Sequence, residues 1–193
     1  MLELKLPTDP RWVKLVDKSI EDILTDHAYC EQKAASSGIS LIILYPHLED
    51  LVEEVSKVVD EEWGHFRMVL DELKRRNLKL GFPRKDEYVL QLQQRIKNNG
   101  KEDEKLLDRL LTAALIEARS CERFKLLSLE CSDMELRDFY RKLMVSEAGH
   151  YKLFLDFAYQ YVDKEMVKKR WDYFLQVEAE IMKDIELRGD RMH

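Results

Sequence analysis

The sequence predicts an all-α fold, and three observations predict it. Gly and Pro are scarce, at 6 and 4 of 193 residues, whereas a sandwich or barrel needs a turn about every 8–12 residues. No stretch alternates apolar and polar residues with period 2. The 45% apolar content is spread along the whole chain and is enough for a core, while 36% charge leaves most helical faces to solvent,.

The elements follow in order. Thr8-Asp9-Pro10 is a helix start, with proline suited to a first turn, and a short helix is expected over 11–16. A long helix is expected over 19–44. Pro46 ends it, because the residue before a proline is pushed out of the helical region. A second long helix is expected over 48–76, followed by the break Asn77-Leu-Lys-Leu-Gly81-Phe-Pro83. A connecting helix near 86–97 closes at Asn98-Asn99-Gly100. A third long helix spans 102–130, Ser132-Asp133 opens a fourth over 134–161, and Asp163 caps a last helix reaching 187,. No linker divides the chain, so 1–193 is expected to be one domain. Two antiparallel pairs joined by a crossover of roughly 25 residues make a four-helix bundle of the ferritin type, here with an additional C-terminal helix.

Charge and cysteine usage narrow the setting. With 32 basic and 38 acidic residues the formal charge is −6, so no global cationic field draws the chain to nucleic acid or anionic membrane. Cys30, Cys121 and Cys131 are sparse and odd in number, which points to a reducing cytoplasm. The segment MLELKLPTDPRW has no apolar core of a signal peptide. The longest apolar run, near 39–44, falls far short of the ~20 residues that span a bilayer. A cytoplasmic protein without a membrane partner is expected.

Two ExxH sequences carry the chemistry, Glu62-Trp-Gly-His65 and Glu147-Ala-Gly-His150. At i and i+3 a carboxylate and an imidazole share one helix face. A glycine precedes each histidine, and since glycine costs about 1 kcal/mol in a helix interior, close packing is expected at those two positions. A di-metal bundle needs one further Glu from each remaining helix. In an antiparallel pair, residues at equal height are equidistant from the turn. Glu31 and Glu62 are symmetric about Pro46-His47, and Glu117 and Glu147 about Ser132. Glu122 is the rival in the third helix, but its midpoint with Glu147 falls inside the fourth. The expected ligands are Glu31, Glu62, His65, Glu117, Glu147 and His150, holding two ions roughly 3.5–4 Å apart, with no catalytic residue beyond them. Four carboxylates balance two divalent cations, which limits the cost of burying the charge. Carboxylate-rich ligation with one imidazole per metal suits iron or manganese rather than structural zinc. Small residues flank the proposed ligands at Ala34, Ala35, Ala113, Ala114 and Ala118. His27, four residues before Glu31, is read first as a satisfied core histidine and second as a neighbour of the site. His47 is expected to be solvated, and the tyrosines and Trp63 to pack the core.

The segments Asp26-His-Ala-Tyr-Cys-Glu31-Gln-Lys-Ala-Ala35 and Ile116-Glu117-Ala-Arg-Ser-Cys-Glu122-Arg-Phe124, with Pro7-Thr-Asp-Pro-Arg-Trp12 and Ser146-Glu147-Ala-Gly-His150, resemble the MiaE family of tRNA hydroxylases over nearly the whole chain. The resemblance implies a non-haem diiron monooxygenase that hydroxylates the isopentenyl side chain of 2-methylthio-N6-isopentenyladenosine in tRNA. It implies two iron ions, O2 as co-substrate and an external electron donor. The family's ligands fall on the same six residues.

Binding tRNA calls for phosphate contacts. The candidates are Lys74, Arg75 and Arg76, with Lys79, Arg84 and Lys85 beyond them; a second cluster is Lys164 with Lys168, Lys169 and Arg170. The alternative reading is a cationic helix C-terminus complementing the dipole. The competing function is a ferritin-like iron oxidase or peroxidase. A metal-free helical adaptor is the third reading, and it leaves the inward carboxylates unexplained.

Overall fold

A computed structural model describes residues 2–97 and 99–193. The elements are α1 (Arg11–Val16), α2 (Ile20–Leu44), α3 (Glu49–Arg75), α4 (Glu87–Gln93), α5 (Glu102–Glu130), α6 (Met134–Tyr161) and α7 (Lys164–Asp184). No strand occurs among the described residues. Among the described residues, no helix is long and apolar enough to cross a membrane. The long helices end where the sequence places their stops. Asp133 accepts hydrogen bonds from the Glu135 and Leu136 amides, and Asp163 from those of Glu165 and Met166, satisfying amides that lack intrahelical partners. Two elements are shorter than expected. α4 closes at Gln93, because Arg95 and Ile96 fold back onto Leu92 and Gln93 in tight turns and the Lys97 amide leaves for the Asp108 carboxylate, 2.8 Å away. α7 closes at Asp184, where Ile185 turns extended. Asn98, part of the expected turn, lies outside the described residues.

The chain divides into two compact units. One holds Leu15–Lys85 with Arg188–Met192. Its frame is the α2–α3 pair, reversed at Tyr45-Pro46-His47; Tyr45 has left the helix and Leu48 donates to its carbonyl at 3.1 Å. Ile23, Leu24, Leu51, Val55 and Val69 are buried in it, each worth about 1.5–3 kcal/mol on removal from water. The late segment 188–192 lies on the start of this pair. The Met192 amide donates to Asp26 at 2.7 Å, and Arg84 bridges Asp190 (2.8 Å) and Asp22. Gly189 lies so close to Leu15 that a Cβ there would sit 2.3 Å from its backbone carbon.

The other unit holds Asp86–Leu187, the N-terminal segment through Lys14, and His193. α5 packs along α6, with α7 and α4 against it. Its core includes Leu107, Leu111, Leu115, Phe124, Leu136, Tyr140 and Phe174. Two ion networks are buried in it. Asp108 takes both arms of Arg170 at 2.6 and 2.7 Å. Arg119, fully buried, donates to Glu178 at 2.6 and 2.9 Å, to the Leu6 carbonyl at 2.9 Å, to Thr8 at 3.1 Å and to Glu122.

The expected close packing beside the two histidines is absent. A Cβ on Gly64 or Gly149 would meet nothing within 4 Å. One residue turns a helix by about 100°, so these glycines look away from the face that His65 and His150 share with their glutamates. Each therefore carries the helix cost of glycine without a packing reason. Gly64→Ala and Gly149→Ala should each stabilise the protein by about 1 kcal/mol, read as a Tm rise of about 2–4 °C. Trp63 obeys the same geometry. It was expected in the core, yet it is 46% exposed, its ring against Phe66 at 4.9 Å. Tyr45, Tyr88, Tyr140 and Tyr151 are buried as expected, while Tyr159 and Tyr173 are partly exposed, at 37% and 38%. His47 is exposed.

Candidate metal centre

In the α2–α3 unit, Glu31 comes from the middle of α2, and Glu62 and His65 from one face of α3. All three are buried, and each offers a ligand atom within 4.8 Å of the others. His65 Nδ1 lies 3.4 Å from Glu31 Oε2 and 3.9 Å from Glu62 Oε2. The fully buried His27 sets its Nε2 2.6 Å from Glu31 Oε1. Of its two sequence readings, the neighbour of the site is therefore the one the geometry favours. Burial pushes the Glu31 carboxyl up, but the hydrogen bond and charge of His27, joined by His65, more than reverse this and hold it far below the usual carboxylate range,.

In the α5–α6 unit the matching set is Glu117, Glu147 and His150, again buried and again with ligand atoms within 4.8 Å of one another. Glu122 points elsewhere. Its two oxygens take the Thr8 amide at 2.8 Å and the Thr8 hydroxyl at 2.7 Å, and it pairs with Arg119. Of the two α5 candidates, only Glu117 lies with Glu147 and His150. Cys121 sits one turn from Glu117; burial first, then the Glu117 charge, pushes its thiol up to about 11. It remains a protonated thiol, a poor metal ligand.

Each set is two carboxylates and one imidazole withdrawn from water. Side by side and buried, such carboxylates favour a cation that neutralises both. The donors are hard oxygens with one nitrogen, and no thiolate is among them. This suits a divalent iron or manganese ion, so the residues fit the metal that the sequence implies.

In the basic cluster at the end of α3 and just beyond it, the arginines are spoken for and the lysines are not. Glu72 takes Arg75 at 2.6 Å and Arg76 at 2.6 Å. Burial would raise the Glu72 carboxyl, but these two guanidinium groups bring it below its ordinary value. Arg84 is held by Asp22 and Asp190. Lys74, Lys79 and Lys85 remain exposed. In the second cluster Arg170 is structural, tied to Asp108 and lying over the Tyr173 and Phe174 rings, while Lys168 pairs with Glu165 on the surface. Sequence reasoning missed the Arg119–Glu178 pair. The Arg119/Glu122 spacing of three was a visible signal, but nothing local marks Glu178, 59 residues on.

The chain is similar to known proteins over nearly its whole length. The family model described as tRNA-(MS[2]IO[6]A)-hydroxylase (MiaE) matches residues 2–193. A tRNA 2-(methylsulfanyl)-N(6)-isopentenyladenosine(37) hydroxylase of Pseudomonas putida is 37% identical, covering 96% of this chain and 90% of that one. The protein of the same name from Salmonella typhimurium is 28% identical, covering 93% and 83%. A solved Synechococcus structure, described as protein 43 with aldehyde deformylating oxygenase activity, superposes with a TM-score of 0.92 at 33% identity, over 98% of this chain and 94% of that one. The fold is all-α and ferritin-like, and its two buried Glu–Glu–His sets are compatible with metal binding. Within that class, the chain belongs to the MiaE family of tRNA hydroxylases.

Proposed function

We propose that this chain is a cytoplasmic, non-haem diiron monooxygenase that hydroxylates the isopentenyl group of 2-methylthio-N6-isopentenyladenosine in tRNA, consuming O2 and two electrons from an external electron-transfer partner. The observation that carries the reading is the pair of matching buried sets, Glu31/Glu62/His65 and Glu117/Glu147/His150, in a chain whose relatives are named for this reaction. The six residues hold two iron ions, and residues 1–193 act as a single domain.

The target C–H bond has no acidic proton and no electrophilic centre, so acid–base side chains alone cannot attack it. Iron supplies the oxidising power for O2-dependent hydroxylation, chemistry that belongs to the cofactor. The protein positions and protects. Four carboxylates would neutralise two divalent cations, and His65 and His150 would add one nitrogen donor each. His27 fixes the Glu31 carboxylate by hydrogen bonding, as outer partners do for metal ligands. Burial of both sets keeps bulk water from the reacting centre,.

Lys74, Arg75 and Arg76 serve tRNA binding unequally. Lys74 is exposed, whereas the two arginines are committed to Glu72. Lys74→Glu should weaken tRNA binding about equally for all sequences and lower its salt slope by about 1. Reversing Arg75 and Arg76 should also lower Tm, because Glu72 is then left among like charges.

The deciding experiment is nucleoside mass spectrometry of tRNA incubated with reduced, iron-loaded protein and O2. The proposal expects one oxygen atom gained on the isopentenylated nucleoside. Rapid iron oxidation with unmodified tRNA would replace it with the ferritin-like iron oxidase reading.

A further inference from the structure

The segment between α3 and α4 has a feature that the metal site does not use. Phe82 is 91% exposed, the most exposed large apolar side chain of the described residues. A slack loop would explain this, but the loop is pinned to α2 on both sides of the ring. The Lys79 amide donates to Glu21 at 3.0 Å, the Gly81 amide to the Thr25 hydroxyl at 3.2 Å, and the Tyr29 hydroxyl to the Gly81 carbonyl at 2.9 Å. Gly81 permits the approach, since a Cβ there would already sit 3.3 Å from Thr25 Cγ2. Beyond the ring, Pro83 restricts Phe82 to extended backbone, and Arg84 is locked between Asp22 and Asp190. A flat apolar ring is thus held out into water on a braced loop, where its burial would be favourable.

The acidic side chains that brace the loop are engaged, Glu21 by the Lys79 amide and Asp22 and Asp190 by Arg84, whereas its lysines are not. Lys79 and Lys85 flank it in sequence, and both are exposed. Two residues before Phe82, Leu80 lines a groove of about 340 Å³ whose other walls are Leu70, Leu73, Lys74, Asn77, Leu78 and Lys79. The ammonium groups of Lys74, Lys79 and Lys85 enter no ion pair among the described residues. An apolar platform with exposed lysines three residues to either side and in the wall of the groove complements a ligand that is flat and aromatic at one point and polyanionic beside it.

We propose that Phe82 is a stacking platform for an unpaired base of the RNA substrate, with Lys74, Lys79 and Lys85 taking the neighbouring phosphates. The inference rests on the tRNA reading above and specifies where that substrate is held. Single-stranded nucleic acid is bound elsewhere in this way, by aromatic faces within a basic surface. The loop is already braced, so little ordering is needed on binding.

The test measures affinity by fluorescence anisotropy for a synthetic anticodon stem-loop bearing the isopentenylated adenosine. Wild type is compared with F82A, F82L, F82W and the double variant K79E/K85E, and iron content and hydroxylation are followed in parallel. Because Phe82 is exposed, F82A should fold and load iron normally. Its Kd should rise about fivefold or more, the smallest loss expected for one base–aromatic stack. F82W should restore binding and F82L should not. K79E/K85E should reduce the salt slope by about 1–2, a slope that F82A leaves alone. If F82A binds the stem-loop like wild type while wild type hydroxylates it, the platform is overturned and the tRNA reading stands. If wild type neither binds nor hydroxylates RNA, both fall. Phe82-dependent binding to phosphatidylserine vesicles with unchanged RNA affinity would assign the ring to a membrane surface and also overturn the proposal.

Discussion

Replacing Glu117 with alanine should strip iron from the α5–α6 set, while Glu122→Ala should leave iron content near that of the unaltered protein. Loss of an outer partner typically lowers metal affinity by about 10–100-fold. Removing one of only three donors in a set should exceed that range, so the Glu117→Ala protein should retain markedly less iron after desalting. Glu122→Ala acts on a different property. It removes the acceptor for the Thr8 amide and hydroxyl and one partner of Arg119, so its effect should appear in Tm. Iron assay and thermal melts on the two variants separate the roles. Iron loss in Glu122→Ala with normal iron in Glu117→Ala would reverse the assignment on α5.

The second large effect concerns the Arg119–Glu178 pair, in which both side chains are shut away from solvent. Arg119→Ala leaves Glu178 buried without its main counter-charge, a loss of about 3–5 kcal/mol. For a chain of this length that corresponds to a Tm drop of about 6–20 °C. Replacing both residues by methionine removes both charges, and such exchanges are often neutral or stabilising. The double variant should therefore melt well above Arg119→Ala. Differential scanning calorimetry on the three proteins checks this, and a double variant no better than the single one would show that the remaining contacts of Arg119, to Leu6, Thr8 and Glu122, dominate. Burial pushes the Glu178 carboxyl above its ordinary value even against the pull of Arg119. The folded chain then holds that proton more tightly than the unfolded one. This contribution favours folding at pH values below the ordinary carboxylate pKa and is lost as pH rises through the folded value.

Much of this was legible in the sequence, because it was written in local signals. Pro46, Asp133 and Asp163 act on their immediate neighbours, so α2, α5 and α6 end within a residue of expectation. The ExxH spacing and the turn symmetry picked out Glu31 and Glu62, which lie together in one helix pair, and Glu117 and Glu147, which lie together in the other, since an antiparallel pair converts sequence distance from a turn into height. What the sequence hid was direction and distant partnership. Trp63, Gly64 and Gly149 adjoin inward residues, yet one helical step turns each of them away. Arg75 and Arg76 read as available cations until Glu72, three and four residues earlier, claims both. Glu178 and the segment 188–192 find their partners across long stretches of chain, and no local pattern announces such contacts.

The brace formed by residues 188–192 also sets an order of events during synthesis. Asp26 and the Met192 amide are separated by 166 residues, and Asp190 and Arg84 by 106. A ribosome adding about 5–20 residues per second needs on the order of ten seconds or more to travel from Asp26 to Met192. Through that interval α2 and α3 can pair, because their turn is short, but the Asp26 carboxylate, one residue from His27, lacks its amide donor. The α2 side of the proposed metal site is therefore a late-maturing part of a chain whose helices form early. Iron capture before residues 188–192 have emerged should be poor, and loading should follow their docking on Asp26 and Arg84.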